Sequence, residues 1–297
     1  SSSSIEAADE SSSSVEEEGK SSSSEEESSS SNVIASSSPA KQSSSSSEER
    51  SSSEAMSAGY YAENCPADHT CKDAAPSTYL KSGITYGEIL DTRDDQVYKV
   101  VTIGEGDDAQ TWMAQNLNYA YNEGTAKSYC YDGDSDNCAK YGRLYLWSAA
   151  MDSAGVFSSD GEGCGFAYDG TTCSASGTVR GVCPAGWHLP SYNEWETLFR
   201  NVGGEASAGR MLKSEEGWNY HFELTEGIDY YGFSALPAGY SDVNGDFHDA
   251  GDVAYFWSTR ELYSSSAYGM NLYYVSEKAY LNYSSKHYAF SVRCLKD

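Results

Sequence analysis

Apolar and polar residues alternate with strand periodicity at residues 96–103 (QVYKVVTI) and again at 110–115 (QTWMAQ), with Gly104, Gly106 and Asp107 between them. Period-two alternation on either side of a glycine-aspartate turn predicts a β-hairpin. A helical period appears at Trp195, Leu198, Phe199 and Val202. Pro190 precedes it, Ser191 and Glu194 form an S-x-x-E capping box, and Gly203 and Gly204 stop it. Residues 144–151 (LYLWSAAM) suit a short helix. The last third reads as short strands between polar turns, at 233–240, 254–258, 268–275 and 288–294. Few helices among many short strands predict an α+β domain with a mostly antiparallel sheet.

Residues 1–53 carry no such pattern. Serine runs broken by Glu16, Glu17 and Glu18 and by Glu25, Glu26 and Glu27 include no aromatic residue, and Ile5, Val15, Val33 and Ile34 are the large aliphatics. Such a segment buries too little apolar surface to offset its ordering entropy, so it reads as a disordered tether whose ends lie roughly 40 Å apart. The organisation expected is a serine-rich acidic linker over 1–59, a disulfide-bearing lead-in over 60–88 and one folded domain over 89–297.

All 25 tyrosines, six tryptophans and eight cysteines lie from Tyr60 onward. The net charge of −26, from 19 basic against 45 acidic side chains, argues against nucleic acid or an anionic membrane surface as partner and favours plain solubility. No stretch approaches the ~18 consecutive apolar residues of a membrane span. The chain starts at Ser1 without methionine, so a targeting segment is expected to have been removed. Membrane contact is expected only through such a removed or lipidated N-terminus.

Eight cysteines allow 105 connectivities. Pairing near neighbours is the economical choice and gives Cys65–Cys71, Cys130–Cys138 and Cys164–Cys173, leaving Cys183–Cys294 as a long bridge. Zinc would want C-x2-C knuckles or matched Cys and His spacing, and neither occurs. Disulfides persist in oxidising compartments, so the cysteines predict export to the cell surface (outer membrane) or the medium.

Six segments in order, 111–120 (TWMAQNLNYA), 141–148 (YGRLYLWS), 182–199 (VCPAGWHLPSYNEWETLF), 233–240 (FSALPAGY), 254–258 (AYFWS) and 290–297 (FSVRCLKD), resemble the Fibrobacter succinogenes major paralogous domain. The resemblance covers about residues 89–297. Members of that family typically follow a serine-rich linker behind a lipoprotein or secretory signal. The piece at 186–195 (GWHLPSYNEW) is also similar to the R-L-P-x-E-x-E-W motif of formylglycine-generating enzymes, and 291–294 (SVRC) to their terminal G-F-R-C. That second resemblance implies a C-type lectin-like fold, and by position it too implies a Cys183–Cys294 bridge.

Three functions compete. An enzyme of the formylglycine-generating type would need a redox cysteine pair to bind copper, and no cysteine lies between Cys183 and Cys294. G-x-S-x-G, H-E-x-x-H and P-loop patterns are missing, and the five histidines show no metal-ligand spacing. A carboxylate pair for glycoside hydrolysis stays open as a weaker alternative. No cofactor is expected.

The favoured reading is a non-catalytic module for polysaccharide or surface glycan in adhesion, because flat aromatics stack on sugar faces while phenols and amides take sugar hydroxyls. Its candidate residues are Trp218, Tyr220 and His221 after Gly217, then Tyr240 and the cluster Tyr273, Tyr274, Tyr280 and Tyr283, each equally open to a packing role. Trp187, Trp195 and Trp257 read as core. The alternative is an envelope or matrix module that binds another envelope protein through the same aromatics. A calcium loop is a minority reading of Asp242, Asn244 and Asp246, since Phe247 and Val253 stand where that loop wants glycine and glutamate. Asp132, Asp134 and Asp136 repeat the alternation, and both runs are better read as solvated turns.

Overall fold

The computed structural model describes residues 65–74, 77–166, 170–173, 175–221 and 225–297. The tether expected over 1–59 and the start of the lead-in lie outside them. The described residues belong to a compact unit that runs from Ser53 to Asp297.

The first sheet contains β1 (Lys72–Asp73), β2 (Gly87–Asp91), β3 (Gln96–Ile103), β4 (Gln110–Met113), β8 (Trp187–His188) and β15 (Leu295–Lys296). Its order is β1-β3-β4-β15-β8, with β2 on β3. The hairpin read from the alternation is β3 with β4, in register from Val100↔Met113 to Ile103↔Gln110. Both faces of this hairpin are covered. Val101, Ile103 and Trp112 enter one core, while Tyr98, Val100 and Met113 enter another.

The first core is closed by helices. The capping box forms as the sequence predicts: the Ser191 hydroxyl accepts from Glu194 N, the Glu194 carboxylate accepts from Ser191 N, and α3 follows at Tyr192–Asn201. Such a cap contributes about 1 kcal/mol and sets the helix start. Trp195 then stacks on Trp112 with centroids 4.6 Å apart, and Phe233 meets Trp112 edge-on at 5.8 Å. A further helix, α4 (Glu205–Leu212), starts directly after Gly204. Two shorter helices, α1 (Ser135–Tyr141) and α2 (Trp147–Ala150), precede these.

The second sheet runs β10-β9-β14-β7-β6-β5. Its strands are β5 (Asn122–Glu123), β6 (Ala126–Tyr129), β7 (Leu144–Leu146), β9 (Tyr240–Ser241), β10 (Phe247–His248) and β14 (Ala289–Phe290). The third is an antiparallel meander of β11 (Val253–Tyr263), β12 (Ser266–Tyr273) and β13 (Ala279–Ser285). Ala254, Phe256, Met270, Leu272, Ala279 and Leu281 on one face join the helical core. Asn271 pairs in register with Tyr255 and Tyr280, so these three share the opposite face.

All four disulfides form as paired in the sequence reading, and the Cα atoms of Cys183 and Cys294 are 5.9 Å apart across 111 residues. The bridge lies beside β8 and β15, which pair at Leu295↔His188.

Several elements differ from the expectation. Residues 144–151 are a strand, β7, followed by α2, because Leu144 and Tyr145 pair with β6 before the chain turns. Residues 233–240 are not a continuous strand. Ser234 has φ 52° and Gly239 φ 66°, and Pro237 has no N–H to donate, so only Tyr240 joins β9. Of 288–294, only Ala289 and Phe290 are a strand. Strand β12 ends at Tyr273 rather than Val275. The sequence reading assigned neither β13 nor α4.

Candidate binding surface

The structure brings four of the candidate aromatics together. Trp218, Tyr220, His221 and Tyr274 line one small cleft of about 70 Å3, with Glu215, Asn219, Thr225, Glu226 and Gly227. Residues 215–221 and 225–227 build one side of it, and Tyr274, directly after β12, the other. The Trp218 indole N–H donates to Ala235 O at 3.0 Å, which fixes the ring half-buried against the helical core. Tyr220 is 71% exposed. His221 meets Tyr274 edge-on at 5.8 Å. Backbone bonds from Asn219 N to Gly251 O and from Tyr274 N to Asp252 O tie both walls to the loop before β11. The rim is acidic or amide, and Glu215 is paired with Lys81.

Tyr240 and Tyr273 belong to a different group, so the candidate list divides in two. Tyr288, Tyr240, Tyr255, Tyr273 and Tyr280 follow one another with centroid separations of 5.6, 5.4, 5.9 and 5.6 Å. Each is half-buried, and Phe290 lies beneath at 4.8 Å from Tyr255. The Tyr255 hydroxyl donates to the Tyr273 oxygen at 3.3 Å, and burial raises the pKa of both Tyr240 and Tyr255. Successive rings meet mostly edge to face, an arrangement that packs well and leaves little flat surface. Tyr283 stands elsewhere, edge-on to Tyr268.

At the loop of the minority calcium reading, the Asp242 carboxylate is engaged in a turn of its own. Asp242 Oδ1 accepts from Asn244 N at 2.8 Å and Asp246 N at 3.1 Å, and Oδ2 lies 3.2 Å from His248 Nε2. Desolvation opposes its charge, but these hydrogen bonds outweigh it and lower the Asp242 pKa. The carboxylate therefore closes its own turn, as Asp134 does in capping α1 through Asp136 N. Among the described residues, no group of three or more His, Cys, Asp or Glu is placed to hold a metal ion.

Sequence reasoning missed three buried cations. Arg293, fully buried, donates to Asn116 Oδ1, Met113 O, Phe233 O and Ser234 O, and burial lowers its pKa to about 9. Lys286 donates to Gly165 O and Glu261, with its ammonium 4.2 Å from the centre of the Trp147 ring. Lys213 donates to Thr225 O at 2.5 Å and to Tyr273 O and Ser276 O at 3.0 Å each. The rule that charges sit outside hides such residues. Only the position of Arg293, between Val292 and Cys294, hinted at burial. A cavity of about 490 Å3 beside Lys286, lined by Thr125, Ser148, Ser153, Phe166 and His287, was likewise invisible because distant segments build it.

No curated protein and no solved structure matches the chain. The family model described as the Fibrobacter succinogenes major domain matches residues 101–296, about two thirds of the length. The first of the six sequence motifs begins in β4 and the last covers β15, which pairs with β4 at Leu295↔Trp112, so the motifs start and finish on neighbouring strands of the first sheet. The chain belongs to the Fibrobacter succinogenes major domain family.

Proposed function

We propose that this is an exported, non-catalytic domain that binds neutral glycan through the cleft at Trp218. The observation that carries this reading is the convergence of Trp218, Tyr220, His221 and Tyr274 from two separate segments onto one cleft with amide and carboxylate neighbours. A ring fixed by its own hydrogen bond beside a freely exposed phenol supplies a stacking face and a hydroxyl partner at low ordering cost. The acidic rim and the net charge of −26 favour an uncharged ligand over an anionic one.

The four disulfides support export, since such bonds persist in oxidising compartments. All eight cysteines are in disulfides, so none serves as the redox pair that formylglycine-generating chemistry requires. No helix among the described residues is long and apolar enough to cross a membrane. The disulfide joining the segment before β8 to β15 also supports the C-type lectin-like reading of the fold.

The test is retention on a panel of insoluble polysaccharides, comparing the intact chain with a Tyr220→Ala, His221→Ala double variant. Both side chains are exposed, so the melting temperature should hold while retention falls. Equal retention by a stably folded double variant removes this cleft as the site.

One observation favours the protein-binding alternative. Strand β13 is an edge strand whose sequence, AYLNYSS, has neither charge nor proline to discourage pairing with an extended strand of another protein. No retention on any polysaccharide, with capture of an envelope protein that Tyr280→Lys abolishes, would move the assignment there.

A further inference from the structure

Building on the cleft reading, we infer that Lys213 is the positioning residue of the binding cleft, a built-in cation that holds its two walls together. Lys213 follows α4 and is completely buried. Its ammonium reaches three backbone carbonyls from two different walls. Thr225 O belongs to the segment that carries Trp218, Tyr220 and His221, while Tyr273 O and Ser276 O flank Tyr274. The same ammonium lies 5.1 Å from the centre of the Trp218 ring. Three N–H groups therefore meet three carbonyls, with an aromatic face as the fourth neighbour, which satisfies the donor capacity of an ammonium.

The surrounding backbone is shaped to this arrangement. Gly227 passes so close that an added Cβ would lie 2.4 Å from Ser214 O and 2.6 Å from Lys213 O. Ile228 N and Tyr230 N then donate to Arg210 O and Met211 O, so the strip after Gly227 lies flush along the end of α4. Only a residue without a side chain lets Thr225 bring its carbonyl onto the ammonium.

Charge at this position responds to pH. Burial, opposed by the field of Glu277, lowers the Lys213 pKa to about 8. Glu215 and Glu226 line the same cleft, and Arg210 stands on the preceding turn of α4. Below that pH the ammonium fills all three carbonyls. Above it the neutral amine has two N–H groups for three acceptors and no charge against Trp218, so the walls are free to part. A fully buried lysine amine is cheaper to desolvate than its ammonium, so the chain as a whole gains stability as pH rises from about 8 to the ordinary lysine range. The local change at Trp218 thus occurs without unfolding.

The experiment follows Trp218 fluorescence in the intact chain from about pH 6 to 9.5, taken as the difference between wild type and Trp218→Phe, alongside polysaccharide retention with and without EDTA. The expected result is an inflection near pH 8, a loss of retention of about tenfold across it, equivalent to one charged hydrogen bond, and no effect of EDTA. Lys213→Met should lack the inflection and bind weakly at every pH, and Gly227→Ala should weaken retention although it leaves the lysine in place. A wild-type signal that is flat between pH 7 and 9, retention that needs a divalent cation, or wild-type retention by a folded Lys213→Met variant would overturn the inference. The wild-type titration needs no variant to fold beyond Trp218→Phe. If the chain retains no polysaccharide at all, the glycan reading falls while the fluorescence inflection still decides the role of Lys213.

Discussion

Replacing Cys183 and Cys294 together by alanine removes the bridge that closes 111 residues, the longest loop of the four disulfides. In the loop-entropy description a closure of that length contributes about 4.7 kcal/mol, whereas the eight-residue Cys130–Cys138 separation contributes roughly 2.6. Both Cys183 and Cys294 are completely buried, so their loss also leaves two small voids beside β8 and β15. A domain of this size has an unfolding entropy of roughly 0.5 kcal/mol per kelvin, so the long bridge corresponds to a drop in melting temperature of roughly 10 °C and the short one to roughly 5 °C. The assay is thermal unfolding by calorimetry or circular dichroism under non-reducing conditions, with Cys130→Ala, Cys138→Ala as the comparison. Equal losses for the two double variants, or a smaller loss for the long bridge, would refute the view that Cys183–Cys294 is the main constraint on the unfolded chain.

Arg293→Met removes a buried guanidinium from four acceptors and leaves their oxygens without it, so unfolding in urea should show a loss of about 3 to 5 kcal/mol. His188 is buried, which opposes its charge, but hydrogen bonds to Glu194 and Asp297 outweigh that and raise its pKa. The stability it contributes is therefore complete below its ordinary value of 6.5 and is lost as pH rises through the raised value. His188→Gln should accordingly destabilise more at about pH 5.5 than at about pH 8.5 in paired thermal scans. Because Asp242 uses its oxygens to close its own turn, adding EDTA or calcium should move the melting temperature by less than about 1 °C, and a larger shift would favour the calcium reading.

The parts of the fold that could be read from sequence are those set by short-range rules. The β3–β4 hairpin and the Ser191 cap follow from residues within a few positions of each other, and both formed where expected. Strand β13 escaped because Ala279 and Leu281 alone carry its alternation into the helical core, too short a pattern to stand out before the serines; β12 holds it from one side. Helix α4 escaped because Gly204 and Gly209 stand where a strong cap and a strong helix former would announce it. Gly209 is there because the Lys278 backbone crosses at Cβ distance, a tertiary demand with no local signature. The binding cleft was half visible. Its aromatics stood out by type, but Tyr273 ends β12 on the face of the tyrosine row, while Tyr274 lies in the turn that follows and is carried to Trp218. Lys213 could not be found at all, since its three carbonyl partners come from backbone that only the fold assembles.

The measurement that bears most directly on glycan binding is a titration of soluble neutral oligosaccharides against the 15N-labelled chain, following the six tryptophan indole N–H resonances. Trp112, Trp147, Trp195 and Trp257 are completely buried and Trp187 nearly so, while Trp218 stands half-exposed in the cleft. The Trp218 resonance, assigned with Trp218→Phe, should move on titration while the other five stay still, and Tyr220→Ala, His221→Ala should weaken the apparent affinity. No movement of Trp218 with any oligosaccharide tested, or movement confined to the buried tryptophans, would contradict the assignment of this cleft as a glycan site.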